Sequence, residues 1–285
     1  MVSQRFLPVL ELVRQAGVRS LEQFGRLAAG AVEFKGDTDL VTVVDRDVEQ
    51  FLRDGIAHLL PGYAFLGEEG GATAAAAGCA GTVVVDPIDG TANFVHGLPQ
   101  YAVSLAVKEA GRTVFGVVHA PALNVTYCAE AGAGAWKNGA PIHVSATPCL
   151  IEALGATGFA CVRAKLHPDN LPIFNRVIYL LRGIRRLGSA ALDLCLVAEG
   201  RLDLYWEIYI QPWDIAAGAL IVREAGGQVS DLHGGDAFEG GRQVLATNGR
   251  LHAAFLRDGV GTDAPPLSDS VGATLLEKGA PQTPS

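Results

Sequence analysis

Thr82–Phe94 reads TVVVDPIDGTANF, and the rest of the chain is organised around it. Thr82, Val83, Val84 and Val85 are β-branched, which suits a pleated, packed surface and predicts a buried strand. Pro87 has no N–H to give to a ladder, so the strand is expected to stop there. Gly90 frees the backbone for a turn, and Thr91 is placed to cap a short helix beginning near Ala92. Two carboxylates, Asp86 and Asp89, are thereby delivered to the end of a strand beside a helix start. Carboxylate oxygens suit hard divalent cations, and free N–H groups at a helix start suit phosphate. The alternative is a strand ending in an Asx-type turn with both aspartates solvated.

Totals narrow the possibilities. The 285 residues fit one large domain or two packed lobes. A formal net charge of −8 without any Lys/Arg run argues against nucleic acid as a charge-driven partner. The same charge is awkward for an enzyme of anionic phosphates unless bound cations offset it locally. Cys79, Cys128, Cys149, Cys161 and Cys195 are odd in number, spread out and free of C-x-x-C spacing. They predict reduced, buried thiols in a cytoplasm rather than a disulfide framework or a zinc cluster. Arg5, Glu11, Arg14 and Arg19 interrupt the N-terminal apolar residues, so no signal peptide is expected. No apolar run approaches the length of a membrane span.

Outward from the central stretch, residues 3–29 carry an apolar stripe of Phe6, Leu10, Val13, Gly17, Leu21, Phe24 and Ala28, which predicts a helix. A turn at Gly36-Asp37 precedes a second amphipathic helix from Thr42 to Pro61-Gly62, with Asp39, Asp45 and Asp47 around its start. Acidic residues there suit the helix dipole, and Asp39 and Asp47 are read that way. A strand over 63–66 leads to Gly67-Glu68-Glu69-Gly70-Gly71, then to a low-complexity linker ending at Gly81. With no lysine among them, these glycines are not a P-loop. Strands are expected over 102–107, 114–119 and 125–129, and Asn138-Gly139 marks a hairpin turn. Further on come a strand at 151–158, a helix at 169–182, and a short strand near Ile184. A Ser189-capped helix runs to Gly200, and a strand occupies 202–206. A Pro212–Ala225 helix, strands at 228–230 and 243–247, and a helix from Arg250 follow. Residues 1–258 form the predicted catalytic unit and 259–285 a disordered tail. His96 is the histidine nearest the motif and is read as structural. A metal site here would use oxygen ligands, not imidazoles.

GEE at 67–69, DPIDGTANF at 86–94 and PWDIAAG at 212–218, in that order, resemble the inositol monophosphatase family of Mg²⁺-dependent, lithium-sensitive phosphatases. The resemblance spans residues 5 to about 257. It implies an α+β fold, a layered α/β/α/β/α sandwich, and two to three Mg²⁺ ions per site. It implies that Glu68 binds the first metal, that Asp86 bridges two metals, and that the Ile88 carbonyl completes the first site. Asp89 and Asp214 would serve the second metal and touch substrate, while Gly90 and Thr91 would offer N–H groups to phosphate. Asp45 would accept a hydrogen bond from the Thr91 hydroxyl, and this pair, with Glu68, would form the catalytic set acting on water. Lys35 matches a lysine at the mouth of the site, Glu207 a glutamate at the sugar ring, and Gly188, Ser189 and Ala190 a loop contacting sugar hydroxyls. Trp213 is expected to pack and hold Asp214 in place. A small phosphate ester as substrate, a homodimer, and no membrane or nucleic-acid partner are also implied. The IYIQP stretch after Glu207 lacks a histidine found in some relatives.

Independently of the resemblance, two cations about 3.5–4 Å apart can flank an in-line displacement at phosphorus, supplying hydroxide and stabilising the leaving alkoxide. Three other readings compete. A haloacid dehalogenase-type phosphatase uses D-x-D-G-T with a nucleophilic aspartate, but here the spacing is D-x-x-D-G-T with Pro87 inserted. Histidinol phosphate, fructose 1,6-bisphosphate or 3′-phosphoadenosine phosphates could replace inositol phosphate as substrate. A non-catalytic phospholigand-binding protein on the same fold would be expected to have lost one of Glu68, Asp86, Asp89, Thr91 or Asp214, all of which are intact.

Overall fold

The computed structural model describes residues 2–26, 32–34, 40–72 and 79–266. Lys35, Asp39, the 73–78 part of the linker and residues 267–285 lie outside the described residues. The helices are α1 (Leu7–Gln23), α2 (Val43–Leu59), α3 (Thr91–Val95), α4 (Ala160–Arg163), α5 (Leu171–Val177), α6 (Ala190–Ala198), α7 (Pro212–Glu224) and α8 (His252–Ala254). Strands β1 (Val32–Phe34) and β2 (Leu40–Thr42) pair with each other as a small antiparallel ribbon ahead of α2.

The large sheet is built from β3 (Tyr63–Gly67), β4 (Gly71–Ala72), β5 (Gly81–Asp89), β6 (Ala102–Glu109), β7 (Arg112–Ala120), β8 (Val125–Glu130), β9 (Gly134–Lys137) and β10 (Ala140–Pro141). Among the described residues its order is β10-β9-β8-β7-β6-β5-β3-β4, antiparallel except for β3 beside β5. Strands β11 (Leu154–Thr157), β12 (Gly183–Arg185), β13 (Leu204–Ile210), β14 (Gln228–Ser230) and β15 (Arg242–Thr247) form the smaller sheet, ordered β12-β11-β13-β15-β14. In it β11 runs parallel to both β12 and β13.

Side-chain alternation sets the layers. Val83 and Val85 face α1 and α2 in a core with Val13, Val48, Leu52, Leu105 and Phe115. Val84 points the other way, into a core shared with α6 and α7. Those two helices are apolar nearly all round, as expected for helices covered on both sides: beyond them lie Ala156, Tyr205 and Ala246 of the small sheet. Close approach is possible because facing residues are small. A Cβ on Gly116 of β7 would sit 2.9 Å from the Ala217 carbonyl oxygen, and one on Gly218 of α7 would strike Leu194 at 2.6 Å. The far side of the small sheet packs Trp206, Ile208 and Leu245 against Ile173, Val177, Leu251 and Phe255. The succession is α/β/α/β/α, the layering implied by the family resemblance.

Several expectations are corrected. Pro87 does not end its strand. β5 continues to Asp89 because three steps from Asp86 to Asp89 face two from Ser104 to Ala102, a bulge that tolerates the missing N–H. Phe6, Leu10, Val13 and Gly17 are buried as read, but Leu21 is 40% exposed and Val9, Leu12 and Ala16 are buried as well, so the core face of α1 is wider than the stripe read in sequence and shifted away from Leu21. The 169–182 helix shrinks to Leu171–Val177, since the Arg182 N–H is drawn to the Ala153 carbonyl beside β12. The strand read at 202–206 lies at Leu204–Ile210. The helix expected from Arg250 is three residues of α-helix followed by a wider π-type turn, Phe255–Val260. Residues 259–266 are not a loose tail: Val260 is buried, Arg176 bonds the Gly259 and Val260 carbonyls and Asp263, and Pro265 accepts hydrogen bonds from His233 and Gln243. Cys149 is exposed, whereas Cys128, Cys161 and Cys195 are buried and all five cysteines are free thiols.

Candidate active site

The β5 bulge shapes the site. It turns Asp86, Ile88 and Asp89, all buried, around the strand end. The Asp86 carboxylate accepts the Ile88 N–H at 3.0 Å. Gly90 then takes φ +97°, the left-handed region that favours glycine. A Cβ there would lie 3.0 Å from the carbonyl oxygens of both Gln100 and Gly188. Gly90, not Thr91, is therefore the N-cap of α3. That releases the Thr91 hydroxyl to donate to the Asp45 carboxylate at 3.2 Å or the Ile88 carbonyl at 3.1 Å.

Asp45 sits in the first turn of α2 within a capping box, where Thr42 N–H and Thr42 hydroxyl both reach its carboxylate. Burial raises its pKa, and the hydrogen bonds from Thr42 and Thr91 work against that rise. Asp214 is arranged similarly on α7. Its carboxylate accepts the Gln211 N–H at 2.9 Å, with Pro212 at the first turn. The neighbouring Trp213 packs against the central core, and its carbonyl accepts the Ser104 hydroxyl.

Asp89 is fixed by the start of α6. Ser189 donates its hydroxyl to Asp89 at 2.6 Å, and the Ala191 N–H reaches the same oxygen at 2.6 Å, with Ala190 N–H at 3.3 Å. The Gly188–Ala190 loop thus holds a carboxylate of the strand end, so the Ser189 proton is already engaged. Asn93 ties this loop to the motif, donating to the carbonyls of Gln100 and Leu187 at 2.6 and 2.7 Å.

These carboxyls feel one another. Burial, then the charges of Glu68, Asp89, Asp214 and Asp45, push Asp86 well above the ordinary carboxylate range. Asp89 is raised by burial to about 6 despite the bonds from Ser189, Ala191 and Ala190. Burial and the Asp89 charge raise Asp214 to about 8. Burial also lifts Glu207, on β13, to about 7, although Tyr205 donates its hydroxyl to it. Among the described residues no three of these groups close into a compact cage of their own. An open set of oxygen donors is nevertheless what Mg²⁺ uses, since it keeps several waters. A cluster of carboxyls raised by burial fits a hard divalent cation. Glu68 stands in the loop after β3, half-buried, within electrostatic range of Asp86.

Sequence reasoning missed several neighbours. Gly158 faces Glu207 so closely that a Cβ would meet its carboxyl at 2.0–2.3 Å. Asp193, buried one turn into α6, has an Oδ1 without a hydrogen-bond partner, and Glu207 and Asp89 raise its pKa further after burial. Arg186 is exposed and its positive charge counteracts those of Asp89, Asp193 and Glu207. Asn93 had a signal, since it lies within DGTANF; the others are brought in only by tertiary structure.

The fold and site define a phosphoric monoester hydrolase of the layered-sandwich type. A sequence model of the inositol monophosphatase family matches residues 4–260, and the chain belongs to that family. An inositol-1-monophosphatase of Mesorhizobium japonicum is 38% identical over 249 residues, covering 87% of this chain and 93% of its own. A fructose-1,6-bisphosphatase/inositol-1-monophosphatase of Thermotoga maritima is 40% identical over 245 residues, covering 85% and 91%. The crystal structure of the extragenic suppressor protein suhB from Bartonella henselae superposes with a TM-score of 0.84 at 33% identity, over 94% of this chain and all of that one. The family is metal-dependent. Among the described residues no helix is long and apolar enough to cross a membrane.

Proposed function

We propose that this chain hydrolyses inositol 1-phosphate, or a closely related polyol phosphate, by direct attack of water with Mg²⁺. The observation that carries this is the cluster of Asp86, Asp89 and Asp214, each raised by burial, with the Glu68 charge acting on Asp86, beside the Thr91–Asp45 hydrogen bond. Two to three Mg²⁺ held by Glu68, Asp86, the Ile88 carbonyl, Asp89 and Asp214 would supply an acidified water and neutralise phosphate charge. With its hydroxyl proton donated to Asp45, the Thr91 oxygen is free to accept a hydrogen bond from such a water, so the water's proton would pass to Thr91 as the Thr91 proton passes to Asp45. Burial keeps Asp45 basic enough to favour receiving it. Gly90 and Thr91 N–H groups would face the phosphate, and Lys35, outside the described residues, would add its charge to the binding. Glu207 and the Gly188–Ala190 loop receive the polyol hydroxyls, and Arg186 offers an exposed positive charge nearby.

Glu207 is the reason for preferring a polyol, since a carboxylate is a strong acceptor for vicinal hydroxyls. The test is phosphate release from inositol 1-phosphate, histidinol phosphate, fructose 1,6-bisphosphate and 3′-phosphoadenosine 5′-phosphate, each with and without chelator. Chelator-sensitive preference for inositol 1-phosphate is expected; chelator-insensitive turnover, or preference for the nucleotide, contradicts the reading. We further propose a cytoplasmic homodimer whose catalytic unit, read as residues 1–258 in the sequence, extends through the packed 259–266 segment. Exposed Ile151, Ile178 and Tyr179, which flank β11 and β12 in the chain, support the dimer. Light scattering of Tyr179→Glu tests it, with a monomer expected.

A further inference from the structure

We infer that Glu49 is a positioning residue that sets the backbone of the Glu68 loop, and so the presentation of Glu68 to the cation. The inference rests on the metal role proposed for Glu68. Glu49 lies on α2, one turn after Asp45, and is 3% exposed. One carboxylate oxygen accepts the Glu69 N–H at 2.8 Å. The other accepts the Gly70 N–H at 2.8 Å and the Arg53 guanidinium at 2.9 Å. The two N–H groups belong to the residues immediately after Glu68. Immediately before it, Gly67 is fixed as the last residue of β3, paired with Val85. Glu68 is therefore held on both sides.

The loop's glycines complete the fit. A Cβ on Gly67 would lie 2.3–2.7 Å from the Glu49 carboxyl atoms, and one on Gly70 would lie 2.7 Å from Glu49 Oε1 and 2.6 Å from Arg53. Only residues without side chains let the loop wrap a buried carboxylate this closely. Arg53 is itself placed, its guanidinium 4.3 Å from the centroid of Phe65 on β3. Three donors converge on Glu49, so the group has to be a carboxylate. An amide would turn N–H₂ toward one of them and forfeit a charge-assisted bond. The same helix thus aligns both halves of the site: Asp45 meets Thr91, and Glu49 meets the loop of Glu68.

The experiment titrates Mg²⁺ into the full-length wild type, Glu49→Gln, Gly70→Ala and Glu68→Gln, reading melting temperature and binding heat, with activity alongside. Supporting partners of metal ligands are worth 10–100-fold in affinity. Glu49→Gln is expected to raise the Mg²⁺ midpoint about 10-fold, with kcat at saturating Mg²⁺ within about two-fold of wild type. A merely structural Glu49 would lower the melting temperature in chelator and leave the midpoint unchanged, which overturns the inference. If Glu49→Gln does not fold, Gly70→Ala decides by the same criterion, because it disturbs the clamp and leaves the Glu49–Arg53 pair in the chain. Glu68→Gln separates the two levels. If it leaves the midpoint at the wild-type value, the metal role of Glu68 fails and this inference with it. If only Glu68→Gln moves the midpoint, the metal role stands and the role of Glu49 is refuted.

Discussion

Asp214→Asn should make the metal-free protein more stable while disabling it. The Asp214 carboxyl is raised from 3.8 to about 8 by burial and by the charge of Asp89. A group whose folded pKa lies above its unfolded value binds a proton on folding. Its contribution is neutral below pH 3.8 and grows unfavourable as pH rises toward 8. At about 1.4 kcal/mol per unit the full shift corresponds to roughly 5 kcal/mol near pH 8. Because the residue is only half-buried, about 2 kcal/mol is the expected net penalty. Asparagine removes the charge and keeps an oxygen to accept the Gln211 N–H. In chelator at pH 7.5, scanning calorimetry should therefore show a melting temperature about 4–8 °C above wild type. Adding Mg²⁺ should stabilise the wild type more than the variant, which keeps the first-metal ligands Glu68, Asp86 and the Ile88 carbonyl, with Mg²⁺-dependent phosphate release lower by at least about 100-fold. A variant that melts below wild type in chelator and gains as much stability from Mg²⁺ as the wild type would refute the reasoning.

Thr91→Val should lower kcat by about 100-fold or more with little change in KM and folding, and Thr91→Ser should restore most of it, as steady-state kinetics will show. Gly90→Ala forces a side chain into a φ of +97° and to 3.0 Å from two carbonyl oxygens. A loss of about 1–3 kcal/mol in urea unfolding is expected, with activity falling in parallel. His252, buried between the Ser230 and Thr247 hydroxyls, is lowered by burial to about 4. It folds neutral, so its contribution is present above pH 6.5 and is lost as pH falls from 6.5 toward 4. His252→Gln should flatten that part of a melting-temperature profile.

What was legible in the sequence follows from the range of the interactions concerned. Short-range chemistry was readable. The Val83–Val85 run gave a strand facing two cores, and Ser189 caps α6 by accepting the Leu192 N–H. Pro212 opens α7, and Asn138-Gly139 turns the hairpin with both residues at positive φ. The cap at Asp45 showed as an acidic cluster, but its role needed Thr91, 46 positions away. Pro87 misled because local rules end a strand at proline, whereas Ser104 and Ala102 on β6 permit a bulge. Thr91 misled because a threonine before a helix reads as a cap, yet the crowding by Gln100 and Gly188 assigns that place to Gly90. Glu49, Gly158 and Asp193 carry no local motif. Each matters through a contact across the fold, and none of those contacts has a spacing that sequence could reveal. The layered architecture followed from the family resemblance rather than from strand order, since the parallel pairing of β3 with β5 and of β11 with β13 leaves no mark in the pattern of side chains.

The central claim is that Glu68, Asp86, Asp89 and Asp214 form a divalent-cation site. Anomalous scattering from a crystal soaked in Mn²⁺, which takes the same oxygen ligands as Mg²⁺, tests it directly. Peaks among these four carboxylates and the Ile88 carbonyl, absent in Asp86→Asn, are predicted. A Mn²⁺-saturated crystal with no peak there, from protein that still releases phosphate, would contradict it.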